Sequence, residues 1–239
     1  MEIKNIVLLV IFVLGLVYMQ LIQAQTVDEI INKYAEARGG KNKLNSITSV
    51  YMEGSRQMMG NKVAIKVTKV QGKLYRNDFE FGANKGYTIV TPSAGWSFIP
   101  MRSQKAEVIA EGRLKTMQAD MDIADPLIEY KAKGYKAELA GKENIDGKDA
   151  YKIKLIVSAG KEITYFVDTE NYLVIQTRQM RTGMGGNEEE REVITNYADY
   201  KPVDGIMFPH TVSNPGEGLV AGAITFDKIE LNKPIEESE

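Results

Sequence analysis

Apolar and polar positions change their period along this chain. Val27, Ile30, Ile31, Tyr34 and Ala35 recur at i, i+3, i+4, i+7 and i+8, which is one stripe of an amphipathic helix. Thr26 followed three positions later by Glu29 forms a capping box at its start, and Gly39-Gly40 ends it. This helix should lie on a core.

From Ile47 to Pro100 the period is two. Val63, Ile65 and Val67 alternate with Ala64, Lys66 and Thr68, and Tyr75, Phe79 and Phe81 oppose Arg76, Asp78 and Glu80. Gly60-Asn61, Gln71-Gly72 and Ala83-Asn84-Lys85-Gly86 supply turns, so the segment reads as a meander of roughly five strands with one wet face. Residues 101–133 interrupt it. Leu114, Met117 and Met121 share a helical face, Pro126 breaks the helix and Gly134 ends it. Alternation resumes at Tyr135 and runs to Leu231, for example in Tyr151, Ile153, Leu155 and Val157, with turns such as Asn144-Ile145-Asp146-Gly147-Lys148. No repeat or Pro/Ser-rich linker divides the chain. The pattern predicts a mainly β single domain of about eleven strands with a few helices, which must curl or close to hide its edges.

Composition narrows the chemistry. The 239 residues carry 30 basic and 32 acidic side chains, a net charge of −2, which gives no electrostatic reason to expect nucleic acid. Cysteine is absent, which excludes disulfides, thiol catalysis, zinc–thiolate sites and lipid attachment at an N-terminal cysteine. His210 is the one histidine, and no motif sets a nucleophile or acid beside it; a structural or surface role is expected. Gly183-Met184-Gly185-Gly186 lies between strands without the lysine of a phosphate loop and reads as a hairpin tip. Asp120, Asp122 and Asp125 are spaced loosely like calcium ligands. The loop lacks the glycine and the acidic twelfth residue of an EF-hand, so a solvated helix end is expected. The Glu188-to-Glu192 charge run reads as a solubilising strand end. No cofactor or metal is implied, and the inventory does not favour an enzyme.

Lys4 precedes an apolar run from Ile6 to Met19, and Ala24 is a small residue suited to a cleavage site; residues 1–24 read as a secretory signal peptide, and 25–239 as the exported domain. The alternative is an uncleaved anchor over Ile6–Ile22. A further feature is an excess of Met and aromatic residues. Met58, Trp96, Phe98, Met101, Leu114, Met117 and Met121 either fill the core or line a pocket for acyl chains, with Leu114, Met117 and Met121 over Trp96 and Phe98.

The ordered set of motifs resembles the outer-membrane lipoprotein-sorting proteins, the LolA/LolB-like family. It comprises Asp28-Glu29-Ile30-Ile31, Tyr34, Gly39-Gly40 and Leu44; Gly95-Trp96; Gly141-Lys142-Glu143 and Gly147 to Ile153; Tyr165-Phe166-Val167-Asp168; and Asp199 to His210. The resemblance implies a half-open β-barrel with helices plugging its concave side, and a soluble periplasmic carrier of lipoprotein acyl chains or lipid. It also implies an inner-membrane donor and an outer-membrane acceptor. The carrier is expected to be a monomer. No binding residue transfers one to one. A second class is an envelope interaction or sensor module that binds a protein partner with the same fold. N-terminal sequencing of the native protein is expected to begin at or near Gln25; an intact Met1 in the membrane fraction would establish the anchor instead.

Overall fold

The computed structural model describes residues 25–58, 61–123, 125–157, 160–182, 190–215 and 222–235. Residues 1–24, expected to be a signal peptide, Gly183-Met184-Gly185-Gly186, Glu188-Glu189 and residues 216–218 lie outside the described residues. Helix α1 (Val27–Ala37) starts as its capping box requires. Thr26 Oγ1 accepts from Glu29 N at 3.2 Å, and Thr26 N donates to Glu29 Oε2 at 2.9 Å. Ile30, Ile31, Tyr34 and Ala35 are all buried. Its end depends on Gly39, whose φ of +117° suits glycine, and where a Cβ would lie 2.5 Å from the Gly205 carbonyl oxygen. A short helix, α2 (Lys41–Asn45), follows.

Strands β1 (Ser49–Met58), β2 (Asn61–Val70), β3 (Leu74–Phe81), β4 (Asn84–Val90), β5 (Gly95–Phe98) and β6 (Glu107–Val108) form the first meander. Helix α3 (Glu111–Gln118) and a 3-10 turn (Ala119–Met121) come next. The second meander is β7 (Lys136–Ile145), β8 (Lys148–Ile156), β9 (Glu162–Asp168), β10 (Val174–Thr182), β11 (Glu190–Val203), β12 (Ile206–Asn214) and β13 (Gly222–Leu231). That gives 13 strands where alternation predicts about eleven; β6, with two residues, is too short to show a period. All belong to one open antiparallel sheet in the order β6-β5-β4-β3-β2-β1-β13-β12-β11-β10-β9-β8-β7. Every neighbour is a sequential hairpin partner except β1 and β13, which join the two meanders. The joint carries a bulge at Glu53/Gly54, and a Cβ on Gly54 would lie 2.1 Å from the Thr225 carbonyl oxygen. Such a bulge adds twist and curls a sheet of this size.

The curl gives a concave face. On β2 it takes Val63, Ile65 and Val67, while Lys62, Ala64 and Lys66 face out. Over the second meander α1 covers it. The helix packs with Tyr151, Ile153, Leu155, Tyr165, Val167, Val174, Ile206 and Phe208, and with Leu127, Ile128 and Tyr130 from the segment between β6 and β7. Burial of this order, about 1.5–3 kcal/mol per large apolar side chain, makes this the main core.

A polar network sits inside that core. The Tyr34 hydroxyl donates to Asp125 Oδ2 at 2.5 Å, Arg38 donates to the Tyr34 hydroxyl at 3.0 Å, and Arg38 lies 4.0 Å from Asp125. Burial, with the Asp125 charge adding to it, holds the Tyr34 and Tyr165 phenols well above their usual range, so both stay neutral donors. Asp125 Oδ1 also accepts from Leu127 N at 2.9 Å and shapes the turn after α3. The three aspartates are therefore not a solvated helix end. Asp120 pairs with Arg181 at 3.4 Å, Asp122 with Lys133 at 2.7 Å, and Asp125 with α1. The expectation failed because their partners lie 11 or more residues away in sequence, beyond the reach of local pattern. Asp125→Ala leaves the Arg38 charge and the Tyr34 hydroxyl without their acceptor. It is expected to cost about 3–5 kcal/mol in urea denaturation, with the slope unchanged.

Candidate functional site

The concave face over the first meander is where α1 does not reach. Buried Val63, Ile65, Val67 and Phe226 form its floor. Met52, Phe79, Phe81, Val212, Ile224 and Ile229 surround them and are only half-buried. Strand pairing puts them on one face, with Ile65 opposite Phe79, Met52 between Val67 and Ile229, and Ile224 between Arg56 and Val212. Large apolar side chains left half-covered on the inside of a curved sheet are the candidate lining of a ligand hollow.

The segment between β6 and β7 packs over β4 and β5 and passes the β2–β3 turn, meeting this lining at Tyr75. Met121 and Ile109 are buried against Val90, with Leu114, Met117 and Tyr75 half-buried around them. No residue of α3 is fully buried. A Cβ on Gly95 would lie 2.9 Å from Leu114 Cδ1, so β5 admits the helix closely there. The helix end is tethered by Gln118 Nε2, which donates to the carbonyls of Thr91 at 3.2 Å and Pro92 at 2.8 Å. Beyond it, the Gln71 side chain donates to Asp122 and accepts from Ile123 N, both at 2.8 Å. Arg181 on β10 reaches Asp120 from the other meander.

The sequence-derived candidates divide into two groups. Leu114, Met117 and Met121 come together over the concave face. Trp96 and Phe98 do not join them. Trp96 pairs with Ile89, and Phe98 with Tyr87, whose ring lies 5.7 Å from that of Phe98. Strand alternation puts both on the face opposite Gly95 and Val90. The grouping of the helix over Trp96 is corrected accordingly. Met101 is 57% exposed in the turn after β5, and the Met58 side chain lies outside the described residues. Phe79, Phe81, Met52, Val212, Ile224 and Phe226 were missed as lining residues. Their signal was parity with Val63, Ile65 and Val67. His210 is half-buried on β12, its Nδ1 3.1 Å from the Phe208 carbonyl.

Polar groups also reach this face. Lys69 follows Val67 at the inward register of β2, with its ammonium 5.5 Å from the Tyr75 ring centre. Burial pulls its pKa down, and the nearby Asp120 charge partly offsets this. Burial likewise pushes the Tyr75 phenol up. Asn77 Oδ1, opposite Val67, is buried without a hydrogen-bond donor among the described residues. Among the described residues no cluster of three or more His, Asp or Glu is arranged to hold a metal, and no helix is long and apolar enough to cross a membrane.

No family model and no curated protein matches the sequence. Solved structures do. A LolA superfamily protein from Nitrosomonas europaea superposes with a TM-score of 0.53 at 15% identity, covering 89% of this chain and 96% of that one. A DUF1329 family protein from Desulfovibrio piger gives a TM-score of 0.49 at 14% identity, covering 90% and 97%. The open, curled antiparallel sheet with helices on its concave side, matched over nearly the whole chain, gives this protein a LolA-like fold.

Proposed function

We propose that this protein is a non-enzymatic carrier or binder of lipid or lipidated protein, acting in the periplasm after export and cleavage at Ala24. The observation that carries the reading is the half-buried apolar lining over β1–β3 and β13, bordered at Tyr75 by the cluster that holds α3, a helix with no fully buried residue. A filled core would bury Phe79, Phe81 and Ile224 as completely as it buries Ile153 and Leu155 under α1. The cover is cheap to displace. Lifting Leu114 and Met117 exposes side chains that are already part-exposed, at less than the roughly 1.5–3 kcal/mol of a fully buried one. An acyl chain returns about 0.8 kcal/mol per buried methylene. A near-balanced exchange suits a protein that must release what it binds.

A second reading, a module that docks a protein partner, is favoured by one feature. Trp96 and Val108 are cross-strand partners at the open β6 edge, 38% and 74% exposed, on the face away from the hollow. It predicts that Trp96→Ala abolishes an envelope crosslink without changing lipid content.

The carrier reading is tested on protein purified without detergent from its native envelope. Mass spectrometry is expected to find acyl-bearing molecules. Phe81→Asp, a charge in the lining, should lower occupancy by about tenfold while the protein stays folded, because Phe81 is half-exposed. Met117→Asp should likewise fold and bind differently. Wild-type protein free of lipid, or unfolding of both variants, would refute the hollow.

A further inference from the structure

We infer that the ligand of the hollow carries an anionic head group, held at the floor by the Lys69 ammonium beside the Arg181–Asp120 pair. This rests on the reading of the hollow as a lipid site and names the class of lipid.

Lys69 occupies a position that alternation assigns to an apolar residue. It continues Val63, Ile65 and Val67 along β2 and pairs with Val50, which is 2% exposed, on one side and Tyr75 on the other. The exposed lysines of the strand, Lys62 and Lys66, take the outer face. A lysine can often escape along its stem to solvent. Here contacts at this end of β2 leave Lys69 half-buried: Gly72 N donates to Met121 O at 3.4 Å, and Gln71 holds Asp122 and Ile123.

The charges around it do not cancel. Asp120 is engaged by Arg181 at 3.4 Å and Asp122 by Lys133 at 2.7 Å. Among the described residues no carboxylate lies within 4.0 Å of the Lys69 ammonium. Three cations, Lys69, Arg181 and Lys133, therefore stand against two near carboxylates, Asp120 and Asp122, leaving a surplus of one positive charge beside an apolar floor. A half-buried ammonium with no carboxylate within ion-pair distance is favoured by a bound anion. The Tyr75 hydroxyl, kept neutral by burial, is a further donor beside it. Asn77 Oδ1, two residues along β3 on the same face, is an acceptor that a head-group hydroxyl would satisfy. The shared chemistry is a single negative charge, as carboxylate or phosphodiester, on an acyl chain that lies over Ile65, Phe79 and Phe226.

The test uses the whole exported protein stripped of bound lipid, titrated calorimetrically with oleate, oleyl alcohol, 1-oleoyl-lysophosphatidylglycerol, acetate and inorganic phosphate. At least one of the two charged lipids is expected to bind about tenfold or more tightly than the alcohol, the scale of a charge-assisted hydrogen bond. Which of the two gains more distinguishes a carboxylate from a phosphodiester head. Lys69→Met should erase that advantage, leave the alcohol within about twofold, and raise Tm because the unpaired charge is gone. Lys69→Gln should repeat the loss, and Lys69→Arg should retain the preference. Equal binding of acid, phosphodiester and alcohol, or equal weakening of all by Lys69→Met, overturns the inference and leaves the carrier reading standing. Acetate or phosphate binding as tightly as oleate also overturns it, since the site would then hold any small anion. Failure of every lipid to bind refutes the carrier reading itself.

Discussion

The pairing of β1 with β13 is the contact on which the rest of the molecule depends. Each of the other strand pairs is a hairpin that local turns can establish, whereas this one joins strands from the two ends of the described chain. Once it forms, β6 and β7 become opposite edges of one sheet, although they are consecutive in sequence. The segment between them must then cross from edge to edge. A curled antiparallel sheet offers its apolar concave face for that crossing, so the same hydrogen-bonded seam that unites the sheet also lays a cover across the hollow. The register at the seam tolerates no side chain at Gly54, where β13 backbone occupies the space of a Cβ.

The concave face is divided between two kinds of packing. Helix α1 fills one half with fully buried side chains and is fixed by directional contacts: its capping box, the Met207 N to Arg38 O bond of 2.9 Å, and the Tyr34–Asp125–Arg38 network. Through Asp125 the same network holds the far end of the crossing segment. The near end, α3, packs through the half-buried Leu114 and Met117 and is tied by two hydrogen bonds from Gln118. Rigidity at one end and loose cover at the other follow from how many buried contacts each makes, and mobility in such a segment concentrates where those contacts are fewest.

Most of the fold was legible in the sequence, and less of the site. Helix α1 could be read because its cap, stripe and stop are all local. The strands could be read because most run for eight or more residues, long enough for a period of two to show, as it does in β2 and β8. The hollow was harder. Methionines and aromatics attract attention by type, yet Trp96 and Phe98 are set on the outer face by their parity with Ile89 and Tyr87. Phe79 lies opposite Ile65 of β2, and Phe81 shares its parity, so both line the inside. Which parity faces inward is decided by the pairing across the whole sheet, which no single strand records. The aspartates of the crossing segment were misread for the same reason, since their cationic partners arrive from α1, β10 and the turn before β7.

Two charged groups on the concave face stand in contrast. Around Asp125 the Tyr34 hydroxyl and Arg38 Nη1 have acceptors, while Arg38 Nε has none among the described residues, and the cost of removing the charges from water is offset by hydrogen bonds that join α1 to the crossing segment. Lys69 has no such compensation: it faces an aromatic ring and a carboxylate already engaged by Arg181. Fold stability alone would favour an apolar residue there, since Val63, Ile65 and Val67 beside it show what the position packs well. A fold that pairs Asp125 with Tyr34 and Arg38 at one end of a face and leaves Lys69 with no carboxylate within ion-pair distance among the described residues at the other separates the part that holds the structure together from the part we propose a ligand completes.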